Sequence, residues 1–148
     1  MKTSIICQIL YLTMVLLSSK FYGQDLSDHK WKDRILIVKT LNTDSKKYNN
    51  QLTEFKNSIK ELKERKLVLY KINKNKFSFV NYTESALNYS GNVSDNLSKN
   101  ILDENENFEI ILIGLDGQIK IQQNKILLKE EVFKIIDSMP MRKNEMRN

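Results

Sequence analysis

Three short runs of aliphatic and β-branched residues dictate what this chain folds into. Arg34–Thr40 (RILIVKT), Leu67–Ile72 (LVLYKI) and Phe108–Leu115 (FEIILIGL) are too short and too evenly apolar for amphipathic helices. They read as buried strands. Between the first two, residues 49–66 carry Leu52, Phe55, Ile59 and Leu62 at steps of three and four, one apolar face of a helix. Lys60, Glu61, Lys63, Glu64 and Arg65 fall on its wet side. Strand, helix and strand at this spacing form a right-handed βαβ unit. In the middle of the chain, Phe77, Phe79 and Tyr82 mark an extra strand, and Ser94 is placed to cap a short helix carrying Leu97 and Ile101. After the third run, Asp116-Gly117 is expected as a two-residue hairpin turn, with Gln118–Gln122 as the partner strand. Lys129–Met139 places Val132, Phe133, Ile135 and Ile136 on a helix, which Pro140 ends or redirects. Met141–Asn148 reads as a charged tail.

The first 23 residues belong to a different kind of segment. Lys2 precedes Ile5–Leu17, an apolar run interrupted only by Gln8 and Thr13, and Gly23 supplies a small residue before Gln24. This is the layout of a secretory signal peptide at 1–23, with 24–148 as a single mature domain. The run is shorter than the roughly 20 residues a membrane-spanning helix needs. Cys7 lies ahead of most of the apolar run, where it cannot serve as a lipid anchor. The expected product is exported, periplasmic or secreted, and free of the membrane after cleavage.

Cleavage removes Lys2, Lys20 and the only Cys, so the net charge falls from +6 to +4. The mature chain then has no thiolate nucleophile and no means of forming a disulfide. A single His, His29, excludes most soft metal sites, and no cofactor is expected. His29 itself reads as an exposed loop residue. Asp103, Glu104 and Glu106 read as a solvated acidic turn, because they lack the spacing and Gly of a calcium loop. The lysines are scattered, which describes a solvated surface and no nucleic-acid site. Four Asn-x-Ser/Thr triplets, at Asn81, Asn88, Asn92 and Asn96, sit in an Asn- and Ser-rich stretch where composition alone produces about two.

The element order β-α-β, short α, β-β-α predicts an α/β thioredoxin-like domain, a central mixed β-sheet flanked by helices. The usual thioredoxin chemistry is missing from it. After Thr40 comes LNTDSKK without Cys, and Asn105, Glu106 and Asn107 precede Phe108 where a cis-proline is expected. Three strings, WKDRILIV at 31–38, FEIILIGLDGQIK at 108–120 and EEVFKIIDSMPMRKNEMR at 130–147, resemble domain of unknown function 4174, also called the DUDES domain. That family occurs in exported bacterial proteins and in vertebrate extracellular proteins with sushi repeats. The resemblance implies a thioredoxin-like fold. It also implies Lys before the Asp-Gly turn and Arg two residues after the Lys of the next strand. Leu115 and Gln122 stand there instead, so an anion site built on those charges is not expected.

In that topology Trp31, Arg34, Asp116, Asp137, Arg142, Glu145 and Arg147 fall at one pole, opposite the redox pole. One reading is a binding surface for a protein partner or an anionic ligand, with Arg as a forked donor. The other is structural: Trp31 caps the core, Met139 and Met141 pack on it, and ion pairs pin the tail. On either reading Trp31 or residues 32–34 should touch segment 137–147, and truncation after Lys143 should matter less than loss of Arg142. Two functions stay open, a non-enzymatic interaction module and a thiol-independent enzyme working at the Trp31/Asp137/Arg142 pole.

Overall fold

The computed structural model describes residues 26–84 and 88–147, so the signal peptide expected at 1–23 lies outside the described residues. The domain is α/β, with one six-stranded mixed sheet and helices on both faces. β1 (Arg34–Thr40) is central and pairs in parallel with β2 (Leu67–Asn73) on one side. On its other side it pairs antiparallel with β5 (Phe108–Ile113). β3 (Lys76–Asn81) and β4 (Tyr89–Asn92) extend the sheet beyond β2, and β6 (Ile119–Gln123) closes the far edge. The order is β4-β3-β2-β1-β5-β6. The β2-β1-β5-β6 part is compatible with a thioredoxin-like core.

Strand periodicity divides the core in two. Leu36, Val38, Leu69, Ile110 and Leu112 face α1 (Lys46–Glu54), α2 (Ile59–Glu64) and α4 (Lys129–Ser138). Ile35, Ile37, Tyr70, Ile72 and Ile111 face the other way, with Phe77 and Phe79, and are covered by α3 (Asp95–Asn100) through Leu97. The Ser94 hydroxyl caps α3 by accepting from the Leu97 amide at 3.2 Å, as its sequence position predicts.

The structure departs from the sequence reading where tertiary contacts override local pattern. The single helix expected over 49–66 breaks into α1 and α2, because residues 55–58 tighten into i→i−3 bonds from Phe55 to Leu52 and from Ser58 to Phe55. Ile59 consequently leaves the apolar face and is largely exposed. The hairpin turn is wider than two residues. The Gly114 amide bonds the Gln118 carbonyl, and Leu115-Asp116-Gly117 forms the loop with Gly117 at φ 78°. Only Gly117 needs the left-handed region, as in a three-residue loop. β4 was not expected, and the charged tail is a helix, α5 (Pro140–Glu145), with Pro140 in its first turn.

Candidate functional site

Arg34 opens β1, and its side chain is wholly buried. Its Nη1 donates to the Arg65 carbonyl at 2.8 Å and to Glu145 Oε2 at 3.2 Å, while Nη2 donates to Glu145 Oε1 at 3.4 Å. Arg142, 4% exposed, donates from Nε to Asp137 Oδ1 at 3.1 Å, from Nη1 to the Glu64 carbonyl at 3.1 Å and from Nη2 to Glu64 Oε1 at 2.5 Å. The backbone explains the convergence. Met139 is extended at φ −66° and ψ 140°, so Pro140 restarts the helix in a new direction. That bend brings Asp137 to Nε and Glu145 to Nη1 of the Arg142 guanidinium, at 3.1 and 3.7 Å.

Arg65 completes the cluster. It reaches Asp137 Oδ2 at 2.6 Å and lays its guanidinium 4.4 Å from the centre of the Phe133 ring. Lys66 lies 3.6 Å from Glu145 Oε1. A regular helix over 49–66 places Arg65 and Glu64 on its wet side. The break at 55–58 turns α2 so that its end meets α4 and α5 instead. One signal was available: Leu67 begins a strand directly after Lys66, so residues 65–66 had to turn sharply beside the sheet. Lys66 does so at φ 49°.

The electrostatics follow the contacts. Burial pushes the Asp137 carboxyl up, but hydrogen bonds from Arg65 and Arg142 outweigh it and hold the carboxyl below the usual range. Burial opposes the Arg142 charge, yet the bonds to Glu64 and Asp137 prevail and hold its pKa above the usual value. The guanidinium groups are engaged by protein carboxylates and carbonyls, as in a structural clamp.

Of the seven residues expected at this pole, Arg34, Asp137, Arg142 and Glu145 meet. Asp116 does not join them. Its carboxylate bonds Lys120 at 2.7 Å, and that bond holds its pKa down. Asp116 and Arg34 do line one apolar slot of about 140 Å³ with Leu115, Met139, Pro140 and Met141. Arg147 is exposed and makes no ion pair among the described residues. Trp31 corrects the idea of a core cap: it is 61% exposed. It sits at φ 67° in a turn before β1, and its amide bonds the Leu115 carbonyl at 2.7 Å. The predicted contact between segments 31–34 and 137–147 is made by Arg34 through Glu145.

Leu115 and Gln122, the two departures from the resembled pattern, have structural duties. Leu115 is buried, and the Gln122 amide donates to Glu109 Oε1 at 2.7 Å. Glu109 and Lys39 are buried partners 3.8 Å apart on β5 and β1, a pair hidden in runs that read as strand core. His29 is also corrected, being buried and bonded at both ring nitrogens. Among the described residues no cluster of His, Cys, Asp and Glu is arranged to hold a metal ion, and no helix is long and apolar enough to cross a membrane.

The sequence profile of the family described as Domain of unknown function (DUF4174) matches residues 25–145, and the chain belongs to that family. No curated protein and no solved structure matches the chain.

Proposed function

We propose that this is an exported, thioredoxin-like interaction module that engages a partner protein through the pole displaying Trp31. The observation that carries the reading is the exposure of Trp31. A bulky side chain is held at positive φ, at a cost on the order of 1 kcal/mol, yet it buries little of its ring. The turn is fixed at both ends, by the bond from its amide to Leu115 and by bonds from Lys32 and Asp33 to the His29 carbonyl. An exposed aromatic on a backbone turn held at both ends has the character of a binding hot spot. The arginines serve as scaffold, since their terminal Nη groups are engaged by Glu64, Asp137 and Glu145, while the buried Nε atoms of Arg34 and Arg65 have no partner among the described residues.

The enzymatic alternative has less support. Asp137 is held ionised by two arginines, which suits an ion-pair acceptor better than a general acid or base near neutral pH. The thioredoxin-like assignment rests on parallel β1 and β2 followed by antiparallel β5 and β6, with β3 and β4 as an added edge. Capture of partners from the exported fraction tests the function, comparing wild type with Trp31→Ala and Arg147→Ala. The expected result is loss of capture with Trp31→Ala alone. Equal capture by all three proteins would overturn the reading.

A further inference from the structure

The only His in the chain lies in a hydrogen-bonded line that runs from a carboxylate to the sheet edge. His29 Nδ1 is 2.8 Å from Asp33 Oδ2, and Nε2 is 2.7 Å from the Tyr70 hydroxyl. The Tyr70 hydroxyl is in turn 3.5 Å from that of Tyr89. Tyr70 is wholly buried on β2, whereas Tyr89 on β4 is 44% exposed. Phe79 packs on His29, Tyr70 and Tyr89, keeping the line in an apolar sleeve.

We propose that this line is a proton-uptake device which couples the pH outside the protein to the turn that displays Trp31. With neutral His29, the Nδ1 proton is donated to Asp33, and Nε2 accepts from the Tyr70 hydroxyl. Tyr70 can at the same time accept from Tyr89. Adding a proton reverses the donors. Water gives one proton to Tyr89, Tyr89 passes its own to Tyr70, and Tyr70 passes its own to Nε2. Both phenols end neutral, the imidazole is charged beside the Asp33 carboxylate, and one proton has been taken from solvent. No phenolate is required, which matters because burial pushes the Tyr70 phenol far up, with Tyr89, Asp33 and Asp28 adding to the effect. Either state leaves both ring nitrogens bonded, so proton uptake requires no break in the line.

The charged and titratable groups facing the line are Asp28 and Asp33 from the turn segment, Tyr70 from β2 and Tyr89 from β4. The output is local. The amides of Lys32 and Asp33 bond the His29 carbonyl, so a change in the grip of the ring on Asp33 pulls on the turn holding Trp31. As a regulator of the Trp31 surface the device rests on the binding reading above. Its proton uptake does not, and the test needs no partner.

The test follows the imidazole nitrogens of His29 and the ring signals of Tyr89 by NMR from about pH 5 to 8, together with emission from the single Trp. The expected result is protonation of His29 in the folded protein, with Tyr89 and Trp31 responding at the same midpoint. Tyr70→Phe should silence the response of Tyr89 while His29 still titrates, and His29→Gln should silence Trp31. An imidazole that stays neutral until the wild-type domain unfolds would overturn the proposal. So would Tyr89 or Trp31 signals that stay flat through the His29 midpoint, and these wild-type readings stand even where a variant fails to fold.

Discussion

Arg34 on the first residue of β1 holds Glu145 on the last residue of α5 across 111 positions of sequence, with Nη1 at 3.2 Å and Nη2 at 3.4 Å. The guanidinium is wholly buried, so its charge depends on that carboxylate and on the Arg65 carbonyl. Glu145→Ala should therefore cost about 3 kcal/mol in chemical unfolding, the penalty of leaving a buried cation uncompensated. Truncation after Lys143 removes the same carboxylate and should cost as much or more. The sequence reading expects this truncation to matter less than loss of Arg142, whereas the burial of Arg34 against Glu145 argues for a comparable cost. Equal stability of the truncated and full-length domains would show that Glu145 is not the counter-ion.

Asp137 gives the acid side of the stability profile. Its folded pKa is depressed, so its contribution is present above the ordinary Asp range, near 4, and is lost as pH falls through the folded value. The midpoint temperature of wild type should drop below about pH 4. Asp137→Asn should be less stable at pH 7 and should lose part of that acid dependence. Asp116 is also depressed, but it is held by the half-exposed Lys120 in a surface turn. Asp116→Asn should change stability by no more than about 1 kcal/mol. Parallel acid profiles for wild type and Asp137→Asn would contradict the assignment.

The legible parts of this fold are those whose signal is local. β1 lies at Arg34–Thr40 as read, because a strand buried on both faces needs little beyond its own β-branched residues. The cap at Ser94 and the redirection at Pro140 were readable for the same reason: one residue's geometry decides each. Three features were not readable. β4, with the sequence YSGN, has little strand propensity beyond Tyr89 and exists because β3 offers it a ladder. The burial of His29 depends on Tyr70, 41 positions away. At the charged pole, topology brought Arg34 to Glu145 and the helix joint brought Arg142 to Asp137. Arg65 and Glu64 were missed, because a regular helix over 49–66 points them into water.

Lys39 and Glu109 make a second test of buried charge. The Glu109 carboxylate lies 3.8 Å from the Lys39 ammonium and accepts from the Asp103 amide at 3.1 Å and from Gln122 at 2.7 Å. Glu109→Ala should cost about 3–5 kcal/mol, whereas Lys39→Met combined with Glu109→Leu should be close to neutral. A double-mutant cycle read by urea unfolding checks both. A double variant as unstable as the single one would mean that the contacts to Asp103 and Gln122, and not the ion pair, carry the stability.

Trp31 separates stability from function most cleanly. An L-residue at φ 67° is strained by roughly 1–2 kcal/mol, and Gly removes that strain. The indole gives little back, since it is mostly exposed and its closest cation, Lys30, sits 5.7 Å from the ring centre. Trp31→Gly should therefore leave the midpoint temperature unchanged or raise it, with up to about 1 kcal/mol gained after the extra chain entropy of Gly is subtracted. Trp31→Ala keeps the strain and should be neutral or slightly destabilising. Both variants should lose partner capture. A residue retained for packing would show the opposite order, with each substitution costing about 2 kcal/mol or more and capture falling only as far as the folded fraction falls. Thermal unfolding and capture measured on the same preparations decide between these outcomes. A destabilised Trp31→Gly that still binds would assign Trp31 to the fold and move the binding surface elsewhere.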